Sequence, residues 1–185
     1  MKQINIDLEY WDDLQSLLDR VRASYKNFMA PVEAVVAGGA VRDMLLDKPI
    51  SDIDVFYKGE LNDEKLKSFF TDVKSNGSPY PDGFNVTHTI ISKTFPVPIQ
   101  LIQVEDIKKH IDTFPSPMMR VYVDNFGLHG VEPSFLSDAS VNEFYWDKEV
   151  DIAYFTKIKA KYYDWHHIFA EDSFNPELEP IEDEF

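Results

Sequence analysis

Asp52 and Asp54 are the side chains best suited to hold a metal here, and Gly38 and Gly39, shortly ahead of them, are best suited to lie against a phosphate. Two positions apart on a strand, two side chains share a face, roughly 7 Å apart along the chain. Both carboxylates can then meet one hard cation while Ile53 points into a core. Mg²⁺ favours one or two carboxylates completed by phosphate oxygens and water. Glycines lack Cβ atoms, so their backbone can approach a phosphate closely, and a following helix offers free N–H groups at its start. Arg42 falls in the first turn of that helix, where a cation opposes the helix dipole unless an anion offsets it. A bound phosphate or a carboxylate such as Asp43 or Asp54 would do so. The plainer alternatives are a polar strand start at Asp52–Asp54, a tight turn at the glycines, and a simple ion pair of Arg42 with Asp43, Asp47 or Asp54.

Hydrophobic periodicity supplies the elements that would position these groups. Leu14, Leu17, Leu18, Val21, Tyr25 and Phe28 recur at helical spacing, so 8–28 reads as an amphipathic helix ended by Pro31. Residues 33–37 form a short apolar strand running into the glycines. A helix over 40–46 buries Val41, Met44 and Leu45, and a second strand covers 52–57. The stretch 62–74 reads as a helix with Leu66, Phe69, Phe70 and Val73 on one face. Gly77 to Gly83 marks a loop. Strands are expected over 84–92 and 97–104, a short helix over 106–113, a strand over 119–123, and turns over 125–133. A long helix is expected over 151–170, with Ile152, Phe155, Ile158, Tyr162, Trp165 and Phe169 along its stripe. The five histidines read as structural or surface groups, His166 and His167 lying on that last helix and diverging around it. The fold class is α+β: a mixed β-sheet flanked by helices, with the N- and C-terminal helices packed on it. One domain over 1–170 is expected, followed by an acidic, mobile tail over 171–185.

Composition narrows the partners. The chain has 185 residues, 44% of them hydrophobic and 14% aromatic, which suits a globular core. It has no cysteine, so disulfides and thiolate metal sites are excluded. No apolar run approaches the roughly 18–20 residues needed to span a bilayer, and no signal peptide is visible, so a cytoplasmic location is expected. Against 33 acidic side chains stand 18 basic ones, a formal net charge of −15. Nucleic-acid affinity rests on Lys and Arg against phosphates, so extended nucleic-acid binding is not expected, whereas a single nucleotide needs only local donors and a metal. The acidity serves solubility, or fits a protein that occupies the basic groove of a protein partner.

Together these residues resemble the nucleotidyltransferase head of CCA-adding enzymes and bacterial poly(A) polymerases, members of the DNA polymerase beta-like superfamily. The family pattern Gly-Gly-x-Val-Arg-Asp-x-Leu-Leu, then Asp-x-Asp, reads here as Gly38-Gly39-Ala40-Val41-Arg42-Asp43-Met44-Leu45-Leu46, then Asp52-Ile53-Asp54. The resemblance covers about 35–57. It implies that Gly38 and Gly39 touch the nucleotide phosphates, that Arg42 and Asp43 support or contact the site, and that Asp52 and Asp54 are catalytic and bind two Mg²⁺ ions. The implied chemistry is attack of an acceptor hydroxyl on the α-phosphorus of a nucleoside triphosphate, with pyrophosphate leaving.

The superfamily carries a third carboxylate on a later strand. Here the local candidate is Gln100, or Gln103, while Glu105, Asp106, Asp112 and Asp124 are possible substitutes that spacing does not separate. The additional helical domains and Arg/Asp-rich base-reading motif of CCA-adding enzymes are not found, so tRNA end repair is not expected. Short stand-alone bacteriophage proteins with this head are the more similar group. The expected function is a Mg²⁺-dependent nucleotidyltransferase acting on an unidentified acceptor hydroxyl of a small molecule, a protein or an RNA end. The alternatives are a catalytically degenerate, acidic binding or inhibitor protein acting on a host enzyme or nucleic-acid-binding partner, and a nucleotide sensor without turnover.

Overall fold

A computed structural model describes residues 10–27, 33–76 and 85–170. The first helix, α1 (Trp11–Ala23), carries Leu14, Leu17, Leu18 and Val21 on its buried face, with Asp12 and Asp13 in the first turn and Arg20 and Arg22 in the last. That charge order complements the helix dipole. The central hairpin pairs β1 (Ala34–Ala37) antiparallel to β2 (Ile53–Tyr57) around the intervening α2 (Gly39–Leu45). All four residues of β1 are buried, which is why its sequence is a continuous apolar run rather than an alternation.

Further out lie α3 (Asp63–Phe69), β3 (Asp72–Ser75), β4 (Val86–Ile91), β5 (Ile99–Gln103) and α4 (Ile107–Asp112). Asn62 and Asp106 cap α3 and α4 by accepting from the backbone N–H groups of Lys65 and Lys109. A 3₁₀ turn at Pro117–Met119 leads into β6 (Tyr122–Val123) and β7 (Leu128–His129). Seven strands form one sheet in the order β3-β4-β5-β2-β1-β6-β7, and β2 and β5 are its parallel pair. The sheet is therefore mixed and flanked by helices. One face, with Val36, Ile53, Val55, Tyr57, Ile90, Ile99 and Leu101, packs with α1 into the larger core. The other face, with Val35, Ala37, Phe56 and Ile102, is covered by Ile107 and Ile111 of α4.

The C-terminal part consists of α5 (Pro133–Ser140), β8 (Glu143–Trp146), α6 (Ile152–Lys161) and β9 (His166–Phe169). Strands β8 and β9 pair in parallel as a second, two-stranded sheet, so β8-α6-β9 is a βαβ unit. Phe155 and Ile158 of α6 belong to the larger core, together with Phe144, Trp146, Tyr162 and Trp165.

Four elements depart from the sequence reading. The helix expected over 8–28 ends at Ala23, and Tyr25 instead bridges to Leu61. The helix expected over 62–74 stops at Phe69: Phe70 turns extended, and Asp72–Ser75 pairs with β4 as an edge strand. Leu66 and Phe70 point inward, whereas Phe69 is exposed. The helix expected over 151–170 stops at Lys161, and its last third is β9. A stripe of Tyr162, Trp165 and Phe169 satisfies helical spacing, but the hydrogen bonds of a parallel partner outweigh it. His166 and His167 consequently lie on a strand, and His167 Nδ1 accepts from Trp146 Nε1 at 3.1 Å. The strand expected over 119–123 is reduced to Tyr122–Val123 by the preceding 3₁₀ turn. Elements α5 and β8 have no counterpart in the sequence reading. The expected loop over 77–83 and tail over 171–185 lie outside the described residues. Among the described residues no helix is long and apolar enough to cross a membrane.

Candidate functional site

Strand β2 separates its side chains as two-residue periodicity requires. Ile53 and Val55 are fully buried in the larger core, so Asp54 points to the opposite face. Its carboxyl is pushed up to about 7, first by burial and then by the neighbouring charge of Asp52, with Lys157 opposing. Asp52 stands immediately ahead of β2, near enough for its charge to act on Asp54, and both side chains are partly buried. One of them would stay protonated near neutrality unless a cation joined them. The donor set fits Mg²⁺, which takes one or two carboxylates and fills the rest of its shell from phosphate and water.

Register decides which residues flank Asp54. On the parallel neighbour β5 its partner is Gln100, and Gln100 in turn faces Thr89 of β4. Ile99 and Leu101 are fully buried in the larger core, which turns Gln100 to the side of Asp54. The residue across from Asp54 on β5 is therefore Gln100. Gln103 is spent elsewhere: it pairs with Tyr57, donates to Gly59 O at 2.6 Å and accepts from Asn85 at 3.0 Å. None of the four carboxylate substitutes sits in that row. Glu105 and Asp106 line a groove of about 340 Å³ with Lys109 and His110, beyond the other end of β5. Asp112 closes α4. Asp124 holds the β6–β7 turn through Phe126 N, Gly127 N and His129 Nε2. Among the described residues no three His, Cys, Asp or Glu side chains gather as a metal-binding group.

On its other side, β2 is paired to β1 with Val55 opposite Val36. One step further along that register sets Ala37 across from Asp54 and brings the Gly38–Gly39 turn to the same end of the sheet. The two glycines differ physically. Gly38 has a positive φ of 79°, donates to Val121 O at 3.2 Å and would place a Cβ 3.5 Å from the Phe114 ring. Its conformation alone requires glycine. Gly39 is helical, and a Cβ there would meet nothing closer than Arg42 Nη2 at 3.5 Å. Neither backbone nor packing demands glycine at 39.

Arg42 and Asp43 form a buried clasp. Arg42 Nε donates to Asp43 Oδ1 at 2.7 Å and to the Tyr162 hydroxyl at 3.0 Å, and Nη2 lies 2.6 Å from the same carboxylate. Tyr162 donates to Asp43 Oδ1 at 2.6 Å, and Lys161 Nζ donates to Oδ2 at 2.6 Å. The guanidinium also lies over the rings of Tyr162 and Phe144. Arg42 is 1% exposed and Asp43 2%. Burial, the largest single influence, would lower the Arg42 pKa, but the Asp43 charge, Tyr162, Tyr154 and the hydrogen bond to Asp43 together outweigh it and the value is raised. Among the sequence alternatives, the partner of Arg42 is Asp43. Both residues bind α2 to the end of α6.

Helix α6 brings to the site a group of residues that sequence spacing did not single out. Tyr154 donates to Met119 Sδ at 3.6 Å, beside the Arg42 guanidinium, and burial raises its pKa. Lys161 reaches Ser51 Oγ at 3.2 Å as well as Asp43. Lys157 lies close enough to act on the Asp54 charge. A signal existed in the order Tyr154, Lys157, Lys161, which is polar on one helix face. Without the helix end at Lys161, however, that stripe had no target.

A family model, Gad2, described as Gabija anti-defense 2 family protein, matches residues 12–161. The chain belongs to the Gabija anti-defense 2 family. This Gad2-family chain also resembles solved CCA-adding enzymes. The crystal structure of the Bacillus stearothermophilus CCA-adding enzyme in complex with CTP is 16% identical, with 73% of this chain and 32% of that chain covered and a TM-score of 0.50. A second complex of a CCA-adding enzyme with CTP is 18% identical, with 71% and 34% covered and a TM-score of 0.51. At these identities the likeness concerns the fold, which is that of a nucleotidyltransferase head. The Gad2-family chain spans about a third of the length of these structures. No curated protein matches it in sequence.

Proposed function

We propose that this chain binds a nucleoside triphosphate with Mg²⁺ at Asp52 and Asp54 and transfers the nucleoside monophosphate to an acceptor hydroxyl, in the service of Gabija anti-defence. The observation that carries this reading is the half-buried carboxylate pair beside the Gly38–Gly39 turn, at one end of a nucleotidyltransferase-type sheet. Asp52 and Asp54 would hold the metal. Gly39, whose lack of a side chain nothing among the described residues requires, would let the backbone approach a phosphate. Arg42 and Asp43 would fix the turn from behind through their clasp. Bound Mg²⁺ would supply charge stabilisation at the α-phosphate and on the departing pyrophosphate. The two CCA-adding enzyme structures it resembles are complexes with CTP, which supports a nucleotide as the ligand.

The test is a thermal-shift titration with Mg-ATP and Mg-CTP, followed by a pyrophosphate-release assay. The expected result is stabilisation that disappears in Asp52→Asn and Asp54→Asn. No shift with any nucleoside triphosphate would sink the proposal.

Gln100 favours a second reading, a degenerate member that keeps the fold and acts by binding a protein of the defence system. An amide neither accepts the acceptor's proton nor adds a charge for the metal. Capture of one stable partner by the wild type and by Asp52→Asn/Asp54→Asn alike would favour it. Pyrophosphate release by the wild type, rising in Gln100→Glu, would favour catalysis.

A further inference from the structure

The C-terminal βαβ unit adds a positive charge to the site. Tyr154, Lys157 and Lys161 of α6 are spaced by three and four residues and so share one helix face. Both ends of this stripe are fixed near the site. Tyr154 is seated against Met119 and Arg42, and Lys161 bridges Asp43 and Ser51 at 2.6 and 3.2 Å. Lys157, between them, is therefore turned toward the same end of the sheet.

The other two lysines of α6 are already engaged. Lys161 is held by Asp43 and Ser51, and Lys159 lies over the Phe155 ring at 5.7 Å. Lys157 is exposed and takes part in none of the ion pairs among the described residues, although its charge reaches Asp54. A long ammonium side chain whose charge reaches Asp54, but which is not ion-paired with it, can swing onto an incoming anion at little cost in packing. In a chain of net charge −15, such a local cation offsets the repulsion that a triphosphate meets on approach.

We propose that Lys157 binds the β- or γ-phosphate of the nucleoside triphosphate, so that the triphosphate lies between the Gly38–Gly39 turn and α6. The proposal rests on the nucleotide-binding reading above and adds a residue from the C-terminal unit to it.

The experiment is calorimetric titration of the full chain with ATP and with AMP, each in Mg²⁺, for wild type, Lys157→Ala, Lys157→Arg and Lys159→Ala. Wild type should bind ATP more tightly than AMP. In Lys157→Ala the ATP affinity should fall about tenfold with little change for AMP, so the ATP-to-AMP ratio collapses. That factor corresponds to about 1.4 kcal/mol. Lys157→Arg should recover most of the loss, and Lys159→Ala should behave as wild type. Equal affinities of Lys157→Ala and wild type for ATP overturn the proposal and leave the nucleotide site standing. Equal losses for ATP and AMP overturn it too, since they mark a general disturbance and not a phosphate contact. Failure of the wild type to bind either nucleotide overturns the nucleotide reading and this proposal with it.

Discussion

Asp54 carries a conflict between burial and charge. Ordinary Asp side chains lose their proton near pH 4, whereas Asp54 in the folded chain holds it until about 7. The folded state therefore binds more protons than the unfolded one between those values. Stability of the metal-free protein falls as pH rises across that window and is level on either side of it. The slope is on the order of 1.4 kcal/mol per pH unit within the window. Asp54→Asn removes the ionisation, so the variant should be more stable than wild type at pH 8, with the advantage vanishing toward pH 4. Denaturant melts of both proteins at the two pH values measure it. Equal stabilities at pH 8 would refute the effect. Gly38 and Gly39 show a second contrast at this scale: the first is explained by its positive φ, the second by nothing among the described residues.

At the scale of elements, α2 and α6 are held together by charge inside the core. Removing one partner of a buried ion pair leaves the other unpaired, at a cost of about 3–5 kcal/mol. Asp43→Asn strands Arg42, Lys161 and the Tyr162 hydroxyl together, so it should destabilise by that order. Tyr162→Phe, which keeps the ring and the ion pair, should cost about 1 kcal/mol. Chemical denaturation distinguishes the two, and similar losses would mean that Asp43 acts as a hydrogen-bond acceptor and not as a charge. The same clasp fixes the position of the stripe that carries Lys157. The βαβ unit is thus tied to α2 at the end of α6, and Trp146, Phe155 and Tyr162 anchor it in the larger core.

At the scale of the whole molecule, 33 acids against 18 bases give a net charge of −15, and this self-repulsion opposes compactness. Screening within about 10 Å at 0.1 M salt should relieve it. The melting temperature is therefore expected to rise by a few degrees from 20 to 200 mM NaCl, as differential scanning fluorimetry would show. A fall would mean that exposed ion pairs such as Lys26–Glu60 outweigh the net repulsion. The same charge leaves little basis for a broad nucleic-acid footprint, which agrees with the proposed confinement of phosphate contacts to one end of the sheet.

The sequence by itself determined the strand-turn-helix-strand unit from Ala34 to Tyr57, because its signals are local. Four apolar residues, two glycines and an aspartate pair at a spacing of two specify backbone shape and face without reference to distant residues. It also placed Gln100 among the candidates for the third position. Only the tertiary structure chose Gln100 over Gln103, Glu105, Asp106, Asp112 and Asp124, because parallel register between β2 and β5 is set by packing across 46 positions of sequence. The ends of α3 and α6 were decided in the same way. Residues 72–75 and 166–169 carry side chains that tolerate a helix, but each finds a strand partner far along the chain whose hydrogen bonds win. The approach of Lys157 to Asp54 followed from that folding, since a helix ended at Lys161 and clamped to Asp43 can present only one face to the site.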